Sequence, residues 1–417
     1  MANLPHFSEN PISDIYLPAG LTGLRSDLML LKKYPFTVCL LAAAIPFFWT
    51  TTSCKKTVTH TITDTFRHAW QPVTYFNNYG QQAMNSVSKG DSELVVAGSS
   101  MMVTFPVNRG EFNNFMGYFL QGTDFLHPVN GAPFINDHLC AYGTVTSLGL
   151  TSVPVRNQYS YFLYTPQYSD SSYNRFLPAL FPTTRYPASD YAVIRSHYLL
   201  MPVETYANDL NTVRFDLLTF DSARVLGDLA VPDTPVAKHV LLHPAPGTLG
   251  FGSSIYFCAA FYDKFFVFFG GQFFRIDTTG DVKAIGYHPA ELNFGTQISN
   301  MFTYGDTLFA KAGGVIFYSR DHGENWELFN IYGPNVSLLV FRNIGKDLYA
   351  TATTMNMQIW KTAVKDHNIV FDELNNDGLE GTLVTSLTKC GKYVFATTFN
   401  GVYYRDTALF DQRKFLK

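Results

Sequence analysis

The chain of 417 residues has no surplus of charge of either sign: 30 Lys and Arg face 33 Asp and Glu, a net charge of −3. A protein that binds nucleic acid normally shows a basic excess or a clustered basic stripe, so nucleic acid is not expected as a partner. Lys55-Lys56 is too short to count as such a stripe. Cysteine is scarce, with five in all, and Cys140 and Cys258 lie among apolar neighbours, where a thiol behaves as a small inert hydrophobe. A disulfide framework is unnecessary in a chain long enough to bury a full core. Long apolar runs are missing as well: Phe36 to Trp49 has 14 residues and contains Pro46, against the roughly 20 a spanning helix requires.

Motifs that carry chemistry are equally absent. No Gly-rich phosphate loop, Gly-x-Ser-x-Gly elbow, His-Glu-x-x-His or Cys-x-x-Cys occurs, so no catalytic residue, metal ligand or cofactor is assigned. His239 and His243 could share a metal on a helix, but Val240-Leu241-Leu242 reads as strand. On a strand the two side chains share a face about 13 Å apart. Both are therefore expected to be ordinary histidines.

The short apolar run has informative flanks. Lys32-Lys33 precede it, and Thr51-Thr52-Ser53-Cys54 follow, giving a basic start, an apolar middle and a small-residue exit ending on cysteine. This arrangement resembles a bacterial lipoprotein signal, with Thr51 where that family usually has leucine. The resemblance implies that Cys54 becomes the first residue of the mature chain and carries acyl groups. Buried acyl chains, at about 0.8 kcal/mol per methylene, anchor a soluble domain firmly. The expected organisation is a misassigned extension over 1–28 upstream of an initiator at Met29, a signal peptide over 29–53 and one domain over 54–417. The expected location is the cell envelope, with membrane attachment through the lipid, on the periplasmic or surface face of the outer membrane. A permanent transmembrane anchor is the alternative, and the length of the run opposes it.

A repeat organises the rest. A glycine turn, an aromatic strand and a second strand recur at 263–275, 305–318, 345–362 and 391–404, and the steps from Phe266 to Phe309, Tyr349 and Phe395 are 43, 40 and 46 residues. One four-stranded propeller blade occupies an interval of this size. The repeated segments are β-branched and aromatic without a 3.6-residue period, which excludes a helical solenoid. Weaker copies at 94–97, 139–142 and 198–201 raise the count to seven. The fold expected is an all-β propeller of about seven four-stranded blades. Only 13 residues follow Tyr404, so the last blade needs a strand from elsewhere. Val58–Thr63, an alternating segment near the N-terminus, is the expected closing strand, since a closed ring leaves no open edge.

One short motif is specific. Ser319-Arg320-Asp321-His322-Gly323-Glu324-Asn325-Trp326 matches Ser-x-Asp-x-Gly-x-x-Trp and lies between two strands. It resembles the Asp-box of sialidases, some glucanases and sortilin-like receptors. That likeness implies a hairpin device: Asp321 accepts backbone N–H groups, Gly323 supplies a positive φ, Ser319 joins the turn and Trp326 packs back into the blade. Phe274-Arg275-Ile276-Asp277 is similar to the arginine motif of the same enzymes, with Asp277 in place of proline. A sialidase-like glycoside hydrolase is thus the alternative to the main expectation, a binding or scaffold module for protein or glycan. The tyrosine- and proline-rich stretch near 156–195 is expected to be an insertion, serving as a recognition surface or as a cover for the propeller.

Overall fold

The computed structural model describes residues 69–74, 83–98, 101–107, 119–121, 124–125, 134–135, 139–143, 148–152, 161–164, 172–175, 192–194, 197–206, 212–220, 223–226, 229–232, 235–244, 257–269, 272–285, 298–329, 335–352, 358–379 and 383–414. These residues form antiparallel sheets that follow one another along the chain. Sheet I holds Ala83–Lys89, Glu93–Gly98, Met101–Pro106 and Phe119–Gln121. In sheet II, Asp124–Phe125 and Phe134–Ile135 both pair with Leu139–Gly143, followed by Leu148–Ser152 and Tyr161–Tyr164. Sheet III is built on Tyr198–Tyr206 and Val213–Thr219, with Val236–Leu242 outside them and Ser172–Arg175 and Ala192–Ile194 along the other side. Part of the stretch near 156–195 is therefore strand.

Sheet IV comprises Phe257–Phe261, Lys264–Phe269, Gln272–Asp277 and Val282–Ile285. Sheet V comprises Ile298–Tyr304, Thr307–Ala312, Val315–Ser319 and Glu327–Phe329. Sheet VI comprises Leu339–Ile344, Asp347–Ala352, Ile359–Lys365 and Asn368–Glu373. The repeated pair of strands legible in the sequence is the second and third strand of each of these sheets. A small hairpin, Ala223–Leu226 with Leu229–Pro232, interrupts sheet III and has no counterpart in the repeat.

Sheet VII differs in where its strands come from. Val384–Cys390, Tyr393–Thr398 and Gly401–Asp406 are consecutive, and the fourth strand is Gln71–Pro72, which pairs with Tyr404 and Tyr403. Closure by an N-terminal strand makes the fold a β-propeller, with its first and last strands in one sheet. Val58–Thr63, with all of residues 1–68, lies outside the described residues. Among those described, the segment that completes the ring is Gln71–Pro72. No helix of the described residues is long and apolar enough to cross a membrane.

Stacking of sheets explains the composition. Side chains alternate across a strand, so a sheet covered on both faces needs apolar residues at successive positions. Lys264–Phe269 reads Lys-Phe-Phe-Val-Phe-Phe for that reason: Phe265, Val267 and Phe269 pack against Val213, Phe215 and Leu217 of sheet III. Phe266 and Phe268 pack the other way, against Met301, Leu308 and Phe317 of sheet V. The same two-sided packing continues from V to VI through Phe309 and Phe341, from VI to VII through Tyr349 and Val394, and from VII to I through Phe395 and Phe105. First strands are also stitched together by side chains. Asn300 exchanges two hydrogen bonds with the backbone of Phe341, Asn343 does so with Thr303, and Arg342 donates to the carbonyl of Thr385.

Candidate functional site

The hairpin side of sheets IV and V brings together the Ser319–Trp326 motif and Arg275. Ser319 to Trp326 form the turn between the third and fourth strands of sheet V. Asp321 Oδ1 accepts the backbone N–H groups of Glu324 (3.1 Å) and Asn325 (2.9 Å) and the Ser319 hydroxyl (2.8 Å). Ser319 Oγ in turn accepts the Gly323 N–H at 2.8 Å, and the Trp326 indole N–H donates to the Gly323 carbonyl at 3.2 Å. Burial alone would raise the Asp321 carboxyl, but the hydrogen bonds from Asn325 and Ser319 hold it below its ordinary value. Gly323 sits at φ +88°, and a Cβ there would collide with the Phe266 ring, so both the conformation and the space require glycine.

That collision shows what the turn touches. Trp326 meets Phe273 edge-on at 5.5 Å between ring centroids and Phe266 at 6.4 Å, and both phenylalanines belong to sheet IV. The indole therefore packs across to the neighbouring sheet as well as closing its own turn, a contact that the motif's spacing does not convey. His322, at φ +57°, stacks on Tyr262 of sheet IV at 4.2 Å. Glu324 reaches the same sheet and accepts from Lys264 (2.7 Å), Lys283 (2.9 Å) and Arg275. The three cations converge because of strand alternation. Arg275 and Lys283 are direct cross-strand partners, Lys264 lies opposite Asp277, and all point toward sheet V beyond the last apolar layer. Burial, and after it the Arg275 charge, lowers the Lys264 ammonium. Arg275 is thus committed to an inter-sheet ion cluster.

Between sheets V and VI the same side of the ring opens into a cavity of about 190 Å³. Buried Phe309 and Phe329 form its floor, half-buried Tyr318 and Val364 its walls, and exposed Arg320 and His367 its rim. The rings stand edge to face: Phe309 and Phe329 are 5.3 Å apart at 89°, Tyr318 and Phe329 5.7 Å apart at 76°. The Arg320 guanidinium lies over Tyr318 at 5.3 Å, and the Tyr318 hydroxyl donates to Glu327. Nothing in the linear sequence marks these residues as a group, because they come from four strands and two turns.

The remaining candidates are dispersed. His239 lies on the outer strand of sheet III and His243 just past its end, with separate partners: His239 Nδ1 is 2.6 Å from buried Asp216, and His243 Nδ1 is 2.9 Å from the Thr212 hydroxyl. Among the described residues no three His, Cys, Asp or Glu side chains gather as a metal site. Cys258 and Cys390 are buried, and burial, with Asp91 and Glu93 adding to it, pushes the Cys390 thiol up to about 12. Lys311 of sheet V is buried with its ammonium donating to the Ser337 carbonyl at 3.3 Å, and burial lowers it to about 8. Cys54 lies outside the described residues.

No known protein family matches the sequence, and no curated protein does. Among solved structures, the chain is similar to BamB from Moraxella catarrhalis at 13% identity and a TM-score of 0.40, over 76% of this chain and 83% of that one. It is similar to the extracellular domain of the one-component system BT4673 from B. thetaiotaomicron at 11% identity and a TM-score of 0.46. It is similar also to PorZ, a surface component of the type-IX secretion system of Porphyromonas gingivalis, at 9% identity and 0.41. Coverage of this chain is 78% and 81% in the last two cases, and this chain spans 38% of either solved chain. The fold assignment rests on the order and pairing of the sheets themselves.

Proposed function

We propose that this chain is a lipid-anchored β-propeller of the cell envelope, with the seven sheets as its blades, acting as a binding or scaffold module for protein or glycan. Cys54 is the acylated residue in this reading, and no chemistry is assigned to the domain. The observation that carries it is the closing strand. A tether at Cys54 enters the ring at Gln71, so a linker of at most roughly 60 Å, at about 3.5 Å per extended residue, joins the membrane to a rigid platform. The likeness of Ser319–Trp326 to the Asp-box belongs to the same reading: the hydrogen bonds of Ser319, Asp321 and Gly323 and the packing of Trp326 on sheet IV serve the fold, and these four residues touch no ligand. The hydrolase alternative draws no specific support, because Arg275, its first candidate residue, is tied to Glu324.

Labelling with a fatty-acid probe tests the anchor. Wild type is expected to incorporate the probe and partition into detergent, and Cys54→Ala to do neither. Retention of residues 29–53 on a membrane-bound, unlabelled wild type would establish a signal anchor instead. A glycan array and a pull-down from envelope extracts test the binding role, which fails if neither yields a ligand.

A further inference from the structure

We infer that the cavity between sheets V and VI is a peptide-binding site for an acidic segment, which inserts one aromatic side chain while its carboxylate meets Arg320. The inference rests on the binding-module reading and deepens it. Size sets the occupant first. An engineered cavity of about 150 Å³ lined by apolar side chains holds benzene, so about 190 Å³ has room for one aromatic ring. The floor offers edges and faces from Phe309, Tyr318 and Phe329, the geometry in which aromatic rings pack best. Anchoring of this kind, a buried aromatic side chain in a preformed pocket, supplies most of the affinity in protein recognition.

Chemistry then selects the flanking group. The lining offers a guanidinium, an imidazole and the hydroxyls of Thr307 and Tyr318, and the nearby Glu327 carboxylate is taken up by the Tyr318 hydroxyl. A sugar would leave most of its hydroxyl donors without an acceptor, which is costly in a desolvated site. Arg320 has its guanidinium over the Tyr318 ring and its side chain exposed, and no ion pair forms with it among the described residues. A carboxylate arriving at the rim finds a charge-assisted, potentially bidentate donor held in place by that ring. His367 stands at the opposite rim, on the sheet VI turn, where Asp366 and His367 adopt φ of 48° and 58°.

The test uses the full-length protein and a library of random displayed dodecapeptides. Enriched peptides are expected to carry an aromatic residue within a few positions of Asp or Glu. Binding should fall about tenfold for Arg320→Gln, the loss of one charge-assisted contact, and at least as much for Val364→Trp, which fills the cavity. Changing the peptide's acids to amides should weaken binding about tenfold on wild type and leave Arg320→Gln unaffected. Arg320 is exposed, so that variant decides the matter even if Val364→Trp fails to fold. Peptides that bind equally well to wild type and to both folded variants overturn this site and leave the binding-module reading standing. Selection of basic peptides, or of none while the glycan array or pull-down succeeds, also overturns the site alone; failure of every screen overturns both readings.

Discussion

Between sheets IV and V, the Ser319–Trp326 turn reaches across with an indole, an imidazole and a carboxylate, and it meets two phenylalanines, a tyrosine and three cations. Where the ring closes, the bond is much leaner. Gln71–Pro72 form a two-residue pairing with Gly401–Asp406, extended by the Val73 N–H to Val402 at 2.7 Å and the Trp70 N–H to Asp377 at 2.8 Å. Trp70 is the one large side chain that this segment buries, against Phe410, Tyr349 and Ile344. Gly378, at φ +92°, leaves room for the Trp70 backbone that any Cβ would take. Beside it, hydroxyls add to the apolar packing of sheet I on sheet VII: Ser86 bonds Ser386 at 2.9 Å and Thr388 at 2.9 Å. One seam is tied by a dense set of polar and aromatic side chains, and the other rests chiefly on Trp70, with Val73 and a few backbone bonds beside it. Loss of one group should therefore be felt most at closure.

Substitution of the two tryptophans breaks or upholds this contrast. Trp70→Ala removes a side chain only 2% exposed and should cost about 3–5 kcal/mol, with loss of cooperative unfolding as the ring opens. Trp326→Ala, at a half-buried position with redundant partners, should cost less, about 2–3 kcal/mol, and keep a single transition. Chemical denaturation monitored by two probes distinguishes them, and a larger effect at Trp326 would reverse the ranking of the seams.

Lys311 sharpens the comparison from the opposite direction, because at the seam between sheets V and VI a buried ammonium opposes folding. Its folded value near 8 lies below the ordinary 10.5, so the unfolded chain binds the proton more tightly. Stability should rise as pH increases from about 8 to about 10.5 and show the full penalty, about 3 kcal/mol, below that window. Lys311→Met should stabilise the protein at pH 7 and flatten this rise. An unchanged pH profile in the variant would remove the lysine from the account.

The smallest effect is expected at Asp321. Its side chain is exposed, although it gathers the turn, so Asp321→Ala should cost about 1–2 kcal/mol. Ligand binding by the folded variant should be unchanged. A variant that melts normally yet loses ligand would mean that Asp321 itself serves the ligand and would return Arg275 to consideration.

Much of the fold was legible because strand alternation and a blade-sized period are written locally. The seven segments read as repeat units, from Leu94 to Phe395, all lie in strands, one to each of sheets I to VII. The glycine, serine and aspartate of the turn were legible for the same reason, since their bonds span only a few residues. Contacts between sheets were not. The packing of Trp326 on Phe273 depends on register in a sheet about fifty residues earlier. The cavity assembles Phe309, Phe329 and Val364, whose local patterns identify each only as a core position. Closure by an N-terminal strand was expected, but the pairing of Gln71–Pro72 with Tyr404 and Tyr403 was not legible. Gln71-Pro72 has no alternating pattern, and a two-residue strand is selected by Trp70 and its pocket and not by its own β-propensity.

Two fragments, one beginning at residue 67 and one at residue 75, test the central claim that this N-terminal segment closes the ring. Thermal unfolding followed by circular dichroism should give the fragment from 67 the same single transition as the full chain. The fragment from 75 lacks Trp70 to Val73 and exposes the edge of Gly401–Asp406, so it should melt earlier and lose cooperativity or aggregate. Identical transitions for the two fragments would contradict closure by Gln71–Pro72. A loss already present in the fragment from 67 would shift closure upstream, to the segment Val58–Thr63.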